Sequence, residues 1–127
     1  MRSIVEPDPA WDASTDENGV LTVELSWPPD ALAGRQEELV ISPGLAQALT
    51  GAGLTGFTTA AAAGVYLDQT FGVEPGDVPP PLLRLVPGDD ALADLAYVPG
   101  KGFSVSEKAL QVLQAHCKSL MVGPHSQ

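Results

Sequence analysis

The feature that most constrains the fold of this chain is a strand, a serine and an amphipathic helix that follow one another twice. In the second copy, Phe103 and Val105 alternate with a polar serine, which is the pattern of a half-buried strand. The serine that follows, Ser106, offers its hydroxyl to a backbone N–H of the first helical turn. The segment therefore predicts a strand joined directly to a capped helix that runs to Cys117.

The first copy lies 64 residues earlier in the chain, where Ser42 takes the place of Ser106. Pro43 follows at the first helical position, which suits proline because an N–H there has no partner inside the helix. Apolar residues recur at helical spacing in both copies and predict one buried face on each helix. These faces consist of Leu45, Ala46 and Leu49 in the first copy and Ala109, Leu110, Val112 and Leu113 in the second. We expect two helices, Pro43–Thr50 and Ser106–Cys117.

The rest of the chain supplies further strands. Val20–Trp27 alternates apolar and polar residues, as a strand with one wet face does. Glu38–Ile41 and Leu82–Val86 are predicted to be short strands. Leu54–Leu67 contains four alanines, but its threonines, valine and tyrosine favour extended structure. Asp89–Tyr97 is expected to form a short acidic helix or a turn.

A chain of 127 residues is long enough for one domain with its own core. We expect a single domain, residues 1–127, of class α+β or α/β. It would contain a mixed, mainly antiparallel sheet of about five strands packed with two helices. Residues 1–19, which are rich in proline, aspartate and glycine, are expected to form a loop-rich arm, and residues 118–127 a mobile tail.

The charge of the chain limits its partners. Six basic and sixteen acidic residues give a net charge of −10, which repels nucleic acid and anionic membranes and favours a basic protein. An acidic surface also keeps proteins dispersed, and the sequence leaves this second explanation open. The chain has a single cysteine, an N-terminus without a signal-peptide pattern and no apolar run of the ~20 residues that a membrane span needs. We therefore expect a cytoplasmic protein.

The sequence contains no group of residues that predicts catalysis, a metal or a cofactor. His116 and Cys117 are adjacent in a helix, so their side chains point about 100° apart and do not face each other. Asp89, Asp90 and Asp94 lack the spacing of a calcium loop and are better explained as the solvated first turn of a helix. The glycines show no nucleotide-binding pattern. An enzyme is therefore the least favoured class of function.

A family likeness lies in three segments, LVISPGLAQALTGAGLTGF, PPLLRLVPG and ADLAYVPGKGFSVSEKALQVLQAH. Together they resemble a broad group of immunity proteins from bacterial polymorphic toxin systems. The likeness covers about residues 37–116, and residues 1–30 do not match. The matching positions, all fold determinants, are Ser42, Leu49, Gly56, Phe57, Pro81, Leu85, Asp94, Val105, Ser106, Ala109 and Leu113. The resemblance implies a cytoplasmic protein that binds a toxin domain and blocks it without catalysis.

We therefore expect a non-catalytic binding protein, an immunity-type inhibitor of a basic toxin domain, with no cofactor. The alternative is an accessory subunit that binds a biosynthetic enzyme or a precursor peptide through a strand edge or the loop at residues 68–81. Acidic side chains would steer the partner and apolar loop side chains would anchor it. The predicted partner-binding residues are Glu37, Glu38, Phe71, Asp77, Asp89, Asp90, Asp94 and Tyr97.

Overall fold

The computed structural model describes residues 2–10, 12–35, 38–67, 76–90, 92–118 and 120–124, which form a single α+β domain. Its elements in chain order are β1 (Arg2–Glu6), β2 (Asp8–Pro9), β3 (Asp12–Thr15), β4 (Leu21–Leu25), β5 (Leu32–Arg35), β6 (Glu38–Ile41), α1 (Pro43–Gly51), β7 (Phe57–Tyr66), β8 (Leu82–Pro87), β9 (Leu95–Val98), β10 (Gly102–Ser106), α2 (Glu107–His116) and β11 (Met121–Pro124).

These strands form two sheets. One has four strands in the order β11-β1-β10-β9, all antiparallel. The other has seven strands in the order β2-β5-β6-β8-β7-β4-β3, with parallel pairing of β2 with β5 and of β4 with β7. The predicted α+β class and both helices are confirmed. The expectation of one sheet of about five strands is wrong.

The two ends of the chain account for most of the additional strands. The sequence predicts a loop-rich arm for residues 1–19, but β1, β2 and β3 lie there. Within the predicted tail, residues 118–127, β11 pairs with β1. β1 also pairs with β10, about a hundred residues away along the chain. Pairing with such a distant partner makes strands of segments whose own pattern is weak.

The first hydrophobic core lies where the helices, the four-stranded sheet and part of the seven-stranded sheet meet. Its fully or almost fully buried side chains include Val5, Leu32, Leu39, Ile41, Leu45, Leu49, Leu85, Leu95, Phe103, Val105, Ala109 and Leu113. Both helices bury the faces that their apolar spacing predicts, with Leu110 and Val112 partly buried at the margin. α1 contacts β8 and α2 contacts β1 and β10, and both helices share this core with Leu32, Leu39, Ile41 and Leu85 of β5, β6 and β8.

The opposite face of the seven-stranded sheet encloses a second, smaller core. Its buried members are Ala10, Leu21, Val23, Leu25, Ala33, Val40 and Leu82. The sheet curves around them because its two end strands, β2 and β3, are separated by only two residues of chain. β3 accordingly also approaches β5.

The two serine caps form as predicted but are not equivalent. Ser42 Oγ accepts a hydrogen bond from the Leu45 N–H at 3.1 Å, and Ser106 Oγ accepts one from the Ala109 N–H at 3.1 Å. The Ser106 hydroxyl also donates to Asp94 Oδ1 at 2.8 Å. The second cap therefore has one more bond than the first, and its acceptor is a carboxylate.

The difference between the caps can be measured by removing each hydroxyl. Loss of a serine cap costs about 1 kcal/mol of the free energy of unfolding. Ser106→Ala also deprives the Asp94 carboxylate of a donor, so we expect it to cost about 1 kcal/mol more than Ser42→Ala. Urea unfolding followed by circular dichroism measures both losses. Equal losses would show that the bond to Asp94 adds nothing to stability.

Candidate functional site

Part of the seven-stranded sheet has no helix over it. The helices cover β5, β6 and β8, while the same face of β7, from Thr59 onward, and of β4 and β3 is left uncovered. The register pairs Asp12 with Glu24 and Glu24 with Val65, so these strands present one continuous surface. We call it the open face. It consists of Asp12, Ser14, Thr22, Glu24, Thr59, Ala61, Ala63 and Val65.

The centre of the open face is apolar and flat. β7 lies between β8 and β4, yet all four residues from Thr58 to Ala61 are exposed, so neither face of the strand is packed there. Ala63 is exposed as well, and Val65 is 44 % exposed. Alanine is a poor strand residue and leaves the sheet without projecting side chains. A contiguous exposed apolar surface is typical of a site of protein interaction.

The open face continues into a groove at the end of β7. Segment 77–81 passes this end, and a Cβ on Gly64 would lie 3.1 Å from the Cβ of Pro79, so the glycine permits the close approach. The groove has a volume of about 410 Å³ and is lined by Val65 and Val78, among others. Val78 is 81 % exposed. The two valines extend the apolar centre of the open face.

Carboxylates lie at the margin of this apolar surface. Asp12 and Glu24 are directly opposite each other on β3 and β4, and Asp77 lines the groove. Within the described chain, no basic residue lies on the open face. The six are Arg2 on β1, Arg35 on β5, Arg84 on β8, Lys101 between β9 and β10, Lys108 on α2 and Lys118 after α2. The described residues of the open face therefore include acidic side chains and no basic one.

A cleft lies on the other side of segment 79–81. It has a volume of about 410 Å³, and its walls include Asp8, Trp27, Asp30 and Pro80. Pro80 lines the groove as well, so the cleft and the groove adjoin. The carboxylate of Asp8 accepts hydrogen bonds from Trp27 Nε1 at 2.9 and 3.0 Å and from the Asp30 N–H at 3.0 Å. These bonds fix the indole ring at the wall of the cleft.

The end of α2 closes the cleft on one side. The carboxylate of Asp30 accepts the backbone N–H of Lys118, at 2.9 Å from Oδ1 and 2.7 Å from Oδ2. Local sequence patterns do not reveal this cleft, because Asp8, Trp27 and Lys118 are far apart in the chain. The one local signal is Trp27 itself, an aromatic residue immediately before two prolines.

The structure divides the predicted acidic residues between the two ends of β7. Asp89 and Asp90 follow β8 where it pairs with the first residue of β7, and Asp94 contacts Thr55 just before β7. Asp77 lies at the other end. Ten strand residues extend about 30 Å, so these carboxylates do not form one site. The described residues between 89 and 94 form turns and bends, which is the second of the two alternatives predicted for Asp89–Tyr97, and the last three residues of that segment belong to β9.

Of the other predicted partner-binding residues, those that the structure describes lie away from the open face. Glu38 is the first residue of β6 and is half-buried. Tyr97, in β9, is half-buried against the first core. Glu37 and Phe71 lie outside the described residues. Of the predicted set, Asp77 is the residue that the structure places beside the open face.

Asp94 connects three parts of the fold. Its Oδ2 accepts the Thr55 N–H at 2.9 Å and the Thr55 hydroxyl at 3.3 Å, and its Oδ1 accepts the Ser106 hydroxyl. Its backbone carbonyl accepts the Ser106 N–H at 2.8 Å. The hydrogen bond from Ser106 lowers the pKa of Asp94 most, and those from Thr55 and the charge of Lys108 lower it further. Asp94 therefore joins the start of β7 to the start of α2.

The lowered pKa of Asp94 makes its contribution to stability depend on pH. Such a carboxyl group stabilises the folded state above its unfolded pKa, near 3.8. The stabilisation is lost as the pH falls through the lower pKa of the folded state. Asp94→Asn should therefore be less stable than the wild type near neutral pH, and the difference should shrink below about pH 4. Urea unfolding at a series of pH values measures this difference in stability, since the other carboxyl groups are common to both proteins. A difference that stays constant with pH would contradict the lowered pKa of Asp94.

His116 and Cys117 do not form a nucleophilic pair. His116 is exposed in the last turn of α2, and Cys117 is half-buried against the first core. Burial, and then the nearby Asp30 carboxylate, raise the pKa of the Cys117 thiol to about 11. The thiol is therefore protonated at neutral pH, unlike an activated cysteine.

Among the described residues, no three His, Cys, Asp or Glu side chains are grouped to hold a metal ion. No helix in this part of the chain is long and apolar enough to cross a membrane. Comparison of the chain with protein-family models, curated proteins and solved structures finds no match. The surfaces described above are therefore the basis for a functional proposal.

The raised pKa should make Cys117 a slow nucleophile. At pH 8 a thiol of pKa about 11 is ionised roughly a hundredfold less than an ordinary cysteine, whose pKa is about 8.5. Iodoacetamide should therefore label the folded protein at least about a hundredfold more slowly than the urea-unfolded protein, as measured by mass spectrometry. Equal rates would mean that the thiol is exposed and unperturbed.

Proposed function

We propose that this protein is a non-catalytic binding protein of the immunity type, which binds and neutralises a basic toxin domain in the cytoplasm. The observation that carries the proposal is the open face. Its centre is apolar and uncovered, carboxylates lie at its margin, and none of its described residues is basic. A partner with an apolar patch surrounded by lysine and arginine complements this surface in both respects.

The arrangement has the anatomy of a protein interface. Interfaces combine a core depleted of charge with a polar rim. Here Ala61, Ala63 and Val65 form the core, and Asp12 and Glu24 belong to the rim. Opposite charge on the two partners accelerates association and fixes orientation more than it adds affinity. The net charge of −10 also attracts a basic partner at long range.

The open face is also preorganised. β7 is bonded to β8 on one side and to β4 on the other, so its backbone is held along its length. The alanines have no rotamers to lose, so a partner that docks here orders few side chains. A toxin domain whose basic surface binds a polyanionic substrate would be neutralised when the open face covers that surface.

The alternative function is an accessory subunit that takes up an enzyme or a precursor peptide by strand addition. β11 lies at an edge of the four-stranded sheet and exposes Met121 by 65 % and Val122 by 44 %. An extended peptide binds such an edge through main-chain hydrogen bonds, with side-chain contacts for specificity. Of the loop at residues 68–81, the structure describes residues 76–81, which border the groove instead.

The first test is capture of the partner from the native host at low salt with three baits: the wild type, Ala61→Arg and Ala115→Arg. Ala61 lies on the open face, and Ala115 is exposed on α2, so the two variants carry the same change on different surfaces. We expect Ala61→Arg to bind the captured domain at least about tenfold more weakly, because it places a cation against a basic surface, and Ala115→Arg to bind as the wild type does. Calorimetry with the purified domain measures both affinities.

The immunity function requires more than binding. The captured domain should be basic, should arrest growth when expressed alone, and should be tolerated when this protein is co-expressed. Its association rate should fall steeply as salt is added. Binding without growth protection would end the immunity proposal and favour the accessory subunit. Equal affinities of the two arginine variants would exclude the open face as the interface.

A further inference from the structure

Asp8 is an unusual carboxylate to bury, because the protein interior removes much of the hydration of a charged group. It is 7 % exposed. The hydrogen bonds that it accepts come from two neutral donors, the Trp27 indole N–H and the Asp30 backbone N–H. A buried ion is stabilised best when an opposite charge accompanies its hydrogen bonds. Asp8 instead lines the open cleft beside Pro80.

The indole of Trp27 is positioned beside this carboxylate. Its Nε1 lies 2.9 Å from one oxygen of Asp8 and 3.0 Å from the other, so the bond sets the orientation of the ring. The side chain is nevertheless 39 % exposed, which leaves part of the ring accessible from the cleft. An aromatic ring next to a carboxylate suits a guanidinium group, which stacks on the one and pairs with the other.

The charges around the cleft favour a cation. Its charged walls carry the carboxylates of Asp8 and Asp30 and the ammonium of Lys118, and His116 lines it as well. Asp30 bonds to Lys118 through the backbone N–H. The walls therefore carry two carboxylates and one ammonium group. The cleft volume of about 410 Å³ lies within the range of small-ligand sites, about 300–1,000 Å³.

We infer that this cleft receives an arginine side chain of the basic partner, an inference that rests on the proposed function. The guanidinium stacks on Trp27 and donates its N–H groups to Asp8, which gains the positive charge that its present donors lack. Arginine fits better than lysine because its planar head stacks and offers parallel donors. Pro80 borders both the cleft and the groove, so the two adjoin and one partner reaches both.

The chemistry of the cleft is tested on the intact protein with N-acetyl-arginine amide as the probe at constant ionic strength. The Trp27 indole N–H resonance, assigned by its loss in Trp27→Phe, reports on the bond to Asp8. We expect a saturable shift with a dissociation constant in the millimolar range. N-acetyl-citrulline amide has nearly the same shape without the charge and should cause no such shift. No shift with the arginine probe, or equal shifts with both, would overturn the inference.

Variants locate the binding. Asp8→Asn should weaken binding of the arginine probe at least about tenfold. Because Asp8 is buried and its loss also weakens the fold, Trp27→Leu serves as a second variant, read from the Lys118 amide resonance, with the same expectation. Glu17→Gln removes an equal charge at the exposed β3–β4 turn and should bind as the wild type does. Unchanged probe binding in Asp8→Asn and Trp27→Leu would overturn the inference.

Binding of the captured toxin domain by the variants tests this inference and the proposed function separately. Trp27→Leu should weaken its binding at least about tenfold, whereas Ala115→Arg should not. A partner that is neutralised equally well by Trp27→Leu overturns the arginine pocket and leaves the proposed function intact. Specific binding of the arginine probe without any basic toxin partner supports the chemistry of the cleft and ends the proposed function.

Discussion

Two short helices cannot cover seven strands, and this mismatch shapes the molecule. A helix with its side chains is about 10 Å wide and strands lie about 4.8 Å apart, so two adjacent helices cover about four strands. α1 and α2 pack against each other and share the first core with β5, β6 and β8. The sheet curves around its own second core on the other side, which buries one face of the remaining strands. The opposite face of β3, β4 and β7 is then left without a cover.

The repeated strand-serine-helix unit determines where each helix begins. Ser42 and Ser106 each cap a helix immediately after a strand, and α2 packs beside β10, the strand that precedes it. Asp94 joins the second unit to Thr55, just before β7, through its side chain. This carboxylate, whose pKa is lowered, therefore links α2 to a strand that β4 and β8 hold along its length.

Local patterns were sufficient to predict the elements that carry their own periodicity, and insufficient elsewhere. Both helices, β4, β6, β8 and β10 have complete apolar repeats, and β7 was predicted from its threonines, valine and tyrosine. β1, β2 and β11 pair with segments that are far away in the chain, which no local pattern reveals, and β3 becomes a strand by forming a hairpin with β4. The candidate sites differ from the predicted ones for the same reason. The charge pattern was sufficient to predict Asp77, but the hydrogen bond between Asp8 and Trp27 is a tertiary contact that no local pattern reveals.

An uncovered apolar sheet is a hazard for any chain, because a second copy with the same surface is always nearby. Here the margin of the open face discourages that contact. Two copies placed face to face would bring Asp12 and Glu24 of both chains into one interface, and each chain has a net charge of −10. Like charges opposed across an interface cost several kcal/mol. The carboxylates that keep two copies apart are those that attract a basic surface, so the same residues favour a basic partner over self-association.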